Sequence, residues 1–231
     1  MERLLTINDL NAGYQKGSDI IHQVNLTLDK GEALAVVGKN GCGKSTLAKA
    51  IVGLTPFKTG EVVYCGQSLT KKPIDKMRQL GIAIMQQGAP VFPGMSVKEH
   101  LQLAVHHNKH SEALDELKEI IPLLNDTKSM NKKADRLSGG ERHQLSLAMT
   151  LATARSLVIL DEPTAGLGPT HVVDLYNILR KTQEAFGTTF LLIEQNIKQA
   201  EDFASQFAFM EEGKIVYRGN DSNIIEELMF K

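Results

Sequence analysis

The chain has 231 residues, 42% apolar and 23% charged, enough to bury a core without disulfide or metal staples. Twenty-six Lys and Arg stand against 27 Asp and Glu, and this net charge of −1 argues against a protein held on nucleic acid by a bulk positive field. Two cysteines, Cys42 and Cys65, exclude a disulfide framework or a four-thiolate metal site and favour a reducing, intracellular compartment.

Residues 4–7 and 20–28 alternate as half-buried strands, with turns expected at 11–13 and 15–17, which predicts an antiparallel β patch. Residues 33–37 (Ala-Leu-Ala-Val-Val) form a short apolar run of the kind buried inside a parallel sheet. A Gly-rich loop follows, then helical spacing over 45–52, closed by Gly53. Residues 61–64 and 82–85 read as further strands. From 97 to 124 apolar residues recur at steps of three and four, and no strand pattern returns before Leu157. Residues 88–155 are therefore expected to be a helical insertion. Strand, helix, strand and helix follow at 157–160, 170–186, 188–193 and 197–205, and 206–218 reads as a terminal hairpin. Such alternation predicts a largely parallel sheet with helices on both faces. No stretch approaches the roughly 20 apolar residues of a membrane span. Glu2, Arg3, Asn8 and Asp9 leave no room for the apolar region of a secretory signal.

The strongest local signal is Gly38, Lys39, Asn40, Gly41, Cys42, Gly43, Lys44 and Ser45, which fits G-x-x-x-x-G-K-[ST] between a strand and a helix. Its glycines let backbone N–H groups turn inward around phosphates, and the helix N-terminus adds partial positive charge. Lys44 can reach the β- and γ-phosphates, and the Ser45 hydroxyl can ligate Mg²⁺. Asp161 ends the apolar run 157–160, where a carboxylate at a strand end can hold the same Mg²⁺. Glu162, beside it, can face an attacking water. Alone, this acidic pair would read as a helix start; beside a phosphate loop it reads as chemistry. Ser138 and Glu141 form a capping box before an apolar helix, and Gly139 and Gly140 open that helix N-terminus to an anion. Two anion-ready helix termini exceed what one nucleotide needs.

With these motifs in this order, the chain resembles the ATP-binding cassette family over nearly its whole length. Residues 38–46, to Thr46, look like its phosphate loop, 137–141 like its signature, and 160–163 like its second nucleotide motif. Tyr14 matches the aromatic that stacks on adenine. Gln87 matches the glutamine loop, which joins core to helical subdomain and reaches Mg²⁺ and water. The resemblance implies an α/β fold: a P-loop NTPase (RecA-like) core over 1–87 and 156–231 carrying an antiparallel β subdomain, with an inserted α-helical subdomain over 88–155. It also implies two cassettes packed head-to-tail, so that Ser138 of one closes over the phosphate loop of the other, and one chain holds two half-sites.

Three positions depart from the common pattern. Gln195 stands where a His usually meets the γ-phosphate, Gly168 where an Asp crosses the dimer interface, and Gln144 where a basic residue ends the signature. The ATPase subunits of branched-chain amino acid importers are similar in these places, and in Gly88 followed by Val91 and Phe92. A Gln can hydrogen-bond a phosphate but carries no charge.

The expected protein is an ATP- and Mg²⁺-dependent ATPase subunit on the cytoplasmic face of the membrane. Glu162, Gln195, Gln87 and Lys44 carry the catalysis, and Ser45, Gln87 and Asp161 hold the metal. Its partners are transmembrane permease subunits and a second cassette, a paralogue favoured over a second copy, with no nucleic acid. The rivals are a soluble cassette ATPase outside transport and a regulatory cassette that binds ATP without turning it over. His100, His106, His107 and His110 read as a solvated helix face, although 106 and 110 have the spacing of a metal pair. Cys42 reads as a small loop residue whose thiol is incidental.

Overall fold

A computed structural model describes residues 2–70, 72–105 and 112–229. His106, His107 and His110 lie outside the described residues.

Strands β1 (Arg3–Gln15), β2 (Ser18–Asp29), β4 (Phe57–Tyr64) and β5 (Gln67–Ser68) form an antiparallel sheet in the order β2-β1-β4-β5. The turn expected at 11–13 is absent: β1 runs through it, with bulges on either side. Gly13 has a different reason. A Cβ there would sit 2.2 Å from the Ser18 carbonyl, so the close return of β2 requires glycine.

A second sheet has the order β10-β9-β3-β8-β7-β6. Its parallel members are β3 (Ala33–Val37), β6 (Ile82–Met85), β7 (Leu157–Asp161), β8 (Thr189–Glu194) and β9 (Gln206–Glu211); β10 (Lys214–Gly219) closes one edge antiparallel to β9. Every residue of β3, β7 and β8 is buried, because both faces of this sheet are covered. Period-2 geometry still sorts the side chains. Ala33, Ala35, Val158, Leu160, Phe190 and Leu192 join one core; Leu34, Val36, Leu157, Ile159, Leu191 and Ile193 join the other.

The second of these cores is shared with α1 (Lys44–Ile51) and the antiparallel sheet. The first is shared with α3 (Val97–Val105), α5 (Pro122–Asn125), α6 (Gly139–Thr153) and α7 (Pro169–Phe186). α4 (Glu112–Lys118) lies among these helices. α7 begins with Pro169, whose fixed φ suits the first helical position, and ends at Gly187, which takes the left-handed φ of 65° that stops a helix.

Three segments differ from the sequence pattern. α2 (Ile74–Gln79) and the C-terminal α9 (Ser222–Met229) are helices not expected, each with a single buried residue. α8 (Ile197–Ala200) stops well before 205, because the Ser205 amide must reach the Ala33 carbonyl to start β9. His100, expected on a solvated face, is fully buried: the Phe92 amide donates to its Nε2 at 2.8 Å, and its Nδ1 lies 2.8 Å from the Ser96 carbonyl.

Candidate active site

The site forms at the C-terminal ends of the parallel strands, where helix N-termini and strand-end loops converge. The phosphate loop connects β3 to α1. Gly43 holds φ +107° beside the Ile21 side chain, a conformation only glycine takes without strain. The Lys44 ammonium is buried and donates to the Gly38 carbonyl at 2.7 Å and the Lys39 carbonyl at 3.0 Å, so the cation lies across the mouth of the loop. Cys42 is half-buried with Sγ 3.9 Å from that ammonium, and burial pushes its thiol up.

The Ser45 hydroxyl donates to Asp161 Oδ1 at 2.8 Å, joining α1 to the end of β7. Asp161 is buried, and burial raises its carboxyl against the Ser45 hydrogen bond and the nearby Lys49 and Lys44 charges. A hydroxyl and a desolvated carboxylate converging in this way are hard oxygen donors that fit Mg²⁺.

Glu162 sits one residue on, at φ +49°. A non-glycine residue in that region costs on the order of 1–3 kcal/mol and persists where its surroundings hold it. They do so here. The Glu162 amide donates to the Ile193 carbonyl at 2.9 Å. Gln87 Nε2 donates to one carboxylate oxygen at 2.5 Å, and Gln195 Nε2 to the other at 2.7 Å. Two donors, one per oxygen, suit the ionised, proton-accepting form. The structure thus brings Lys44, Ser45, Gln87, Asp161, Glu162 and Gln195 together.

The signature residues stand apart. Ser138 caps α6, accepting from the Glu141 amide at 3.2 Å while Glu141 Oε2 accepts from the Ser138 amide at 2.7 Å. Ser138 and Gly139 are exposed, and among the described residues no hydrogen bond or ion pair joins 138–141 to the phosphate loop. Tyr14 is 43% exposed near the β1–β2 turn; the other arm of that turn, at Ile20 and Ile21, lies against Gly43. Gly168 is the N-cap of α7, and Gln144 Oε1 accepts from the Leu123 amide at 3.0 Å, a structural use of that side chain.

Three buried polar residues near the site escaped the sequence pattern. His143 is buried in α6 and donates to the Pro163 carbonyl, with burial pulling its ring pKa down. Thr164 and Glu194 are hydrogen-bonded to each other beneath Glu162. The one available signal was that each lies within two residues of a motif.

Fold and site together define a P-loop nucleoside triphosphatase of the cassette type. The family model described as ABC transporter matches residues 21–165. The chain is 33% identical to the "Probable branched-chain amino acid transport ATP-binding protein LivF" of Archaeoglobus fulgidus, over 96% of this chain and 94% of that one. It is 29% identical to the "High-affinity branched-chain amino acid transport ATP-binding protein BraG" of Pseudomonas aeruginosa, over 92% and 91%. Among solved structures, cbiO1 of Clostridium perfringens, described as part of the ABC transporter complex cbiONQ, superposes with a TM-score of 0.84 at 25% identity over 100% and 93%. A cassette of an ABC transporter in its ADP conformation superposes with a TM-score of 0.83 at 23% identity over 100% and 96%, a likeness of fold. The chain belongs to the ABC transporter family. It is the ATP-binding, ATP-hydrolysing subunit of such a transporter.

Proposed function

We propose that this chain hydrolyses ATP at a site completed by a second cassette, and that turnover drives an amino acid-type solute inward through separate membrane subunits. The observation that carries the chemistry is the Ser45–Asp161 contact at 2.8 Å, with Glu162 held beside it by Gln87 and Gln195.

In this reading Lys44 leaves the Gly38 and Lys39 carbonyls for the β- and γ-phosphates, while the amides of 38–46 cradle them. Ser45, Asp161 and Gln87 would hold Mg²⁺, which when bound would neutralise phosphate charge. Glu162 takes a proton from the attacking water. Gln195 orients Glu162 and offers the γ-phosphate a neutral amide. Tyr14 stacks on adenine. Ser138, Gly139, Gly140 and Glu141 serve the partner's nucleotide at their own helix N-terminus. A paralogue is the favoured partner, since a second cassette can offset the missing charge at Gln195.

Residues 88–155 are read as a helical subdomain that moves against the core. Between α2, β6 and α6 lies a groove of about 320 Å³ whose rim includes Ile74, 46% exposed, with exposed Phe92 and Leu103 nearby. Membrane subunits dock here, next to 87–93. Among the described residues no helix is long and apolar enough to cross a membrane, so translocation falls to those subunits. The cytoplasmic face is the place proposed for the assembly. The names of the LivF and BraG relatives supply the solute class.

The test is reconstitution in vesicles with the membrane subunits that co-purify with this chain from its own cells. ATP-dependent uptake of a branched-chain amino acid is expected, lost with Lys44→Ala. An ATPase rate indifferent to the membrane subunits would overturn the transport reading.

A further inference from the structure

Glu194 ends β8, immediately before Gln195, and is 2% exposed. No cation pairs with it among the described residues. Its oxygens lie 2.9 and 3.0 Å from the Thr164 hydroxyl, and Oε1 also accepts from the Thr164 amide at 3.3 Å. That same hydroxyl is 2.7 Å from Gln199 Oε1.

A hydroxyl has one proton, and here it faces three acceptor oxygens. If Glu194 is ionised, it takes that proton and leaves Gln199 Oε1 unserved. If Glu194 carries a proton, it donates to Thr164, which passes its own on to Gln199. Rotating the Gln199 amide by half a turn would also serve an ionised Glu194. Burial decides between the two arrangements. With no cation beside it, desolvation pushes the Glu194 carboxyl up to about 7, against the Thr164 hydrogen bonds and the Gln195 amide. The titratable groups facing it are Glu162 from the loop after β7 and Tyr176 from α7, with Asp202 facing Tyr176.

These contacts close a ring. Glu162 leads through Pro163 to Thr164; Thr164 bonds Glu194; Glu194 leads to Gln195; and Gln195 bonds Glu162 at 2.7 Å. Glu162 is in a backbone conformation that does not hold itself. The Thr164–Glu194 bond is the only side-chain clasp in the ring besides the one Gln195 makes.

We propose that Glu194 is a positioning residue which, as a hydrogen-bond donor to Thr164, clamps the Glu162 loop against Gln195 and so fixes the direction in which Glu162 meets water. The proposal rests on Glu162 as the base. It touches neither nucleotide nor water, and acts through Thr164 and Gln195.

The experiment is the pH dependence of kcat and KM for ATP in the assembled transporter. Four forms are compared: wild type, Glu194→Gln, Thr164→Val and Glu162→Gln. Wild-type kcat should fall as pH rises through about 7, because an ionised Glu194 takes the Thr164 proton and the Gln199 end of the clamp is released. Glu194→Gln, whose amide donates at every pH, should hold its kcat flat from pH 6.5 to 8.5 with KM unchanged. Thr164→Val should lower kcat about tenfold below pH 7, again with KM unchanged, since small misplacements of a reacting group cost this much or more, and its deficit against wild type should shrink as pH rises through 7. Adding Glu194→Gln to it should cost nothing further. Identical pH profiles for wild type and Glu194→Gln, or a Thr164→Val effect confined to KM, would overturn the proposal. If Glu162→Gln leaves kcat intact, the base assignment fails instead.

Discussion

Replacing Glu194 by Gln should make this protein more stable at alkaline pH relative to wild type, and progressively less so on acidification. An ordinary Glu releases its proton near 4.5, whereas the buried Glu194 holds it up to about 7. Between those values the folded state binds more protons than the unfolded chain. Raising the pH through this window therefore favours unfolding, and the loss is complete above about 7. At about 1.4 kcal/mol for each pH unit between the two values, wild type gives up about 3 kcal/mol. Gln carries no such proton, so its stability lead over wild type should grow by about 3 kcal/mol between pH 4 and pH 8. For a chain of this length that is about 6–12 °C in melting temperature. Urea midpoints of both proteins across that range measure it, and the acid lability of other carboxylates cancels in the difference. Any fixed gain or loss from the amide itself shifts all points equally. A difference constant with pH to within about 0.5 kcal/mol would refute the assignment of a buried, proton-holding Glu194.

Phe190 is fully buried and meets Phe203 edge-on at 5.3 Å between ring centres, so Phe190→Ala should cost about 3–5 kcal/mol in denaturant unfolding. Arg155 links α4 to α7, with its guanidinium 4.1 Å from the centre of the Phe186 ring and 2.8 Å from Glu116; Arg155→Ala should cost about 1–2 kcal/mol, and high salt should shrink only the Glu116 share. Cys42 should react slowly with a thiol reagent at pH 7 and faster as pH rises, since burial raises its thiol; modification should block nucleotide binding, and ATP should protect. Ser138→Ala should cost about 1 kcal/mol by losing the α6 cap, measured by urea unfolding.

How legible each feature was in the sequence follows from how local its cause is. The phosphate loop, Asp161, Glu162 and the capping box at Ser138 are set by residues adjacent in the chain, and their elements fall where the patterns place them. Glycine is ambiguous from sequence. Near Gly13 it marked no turn, because the carbonyl that demands it belongs to a neighbouring strand. Helix α2 is six residues long with one buried residue, too short to show a period, whereas α9 carries Ile225, Leu228 and Met229 at helical spacing, a face that was legible and was not read. Glu194 was invisible because a Glu at a strand end reads as exposed; its burial comes from Thr164 and Gln199 and from α7, elements the chain pattern does not bring together. His100 is similar, since its acceptor role depends on the loop that returns through Phe92.

The proposed chemistry turns on Glu162 activating the water that cleaves ATP. Single-turnover hydrolysis by the assembled cassette pair, with Glu162→Gln compared to wild type, tests it most directly. The variant should bind ATP as tightly as wild type while hydrolysis falls by about 100-fold or more. An unchanged hydrolysis rate in Glu162→Gln would contradict it.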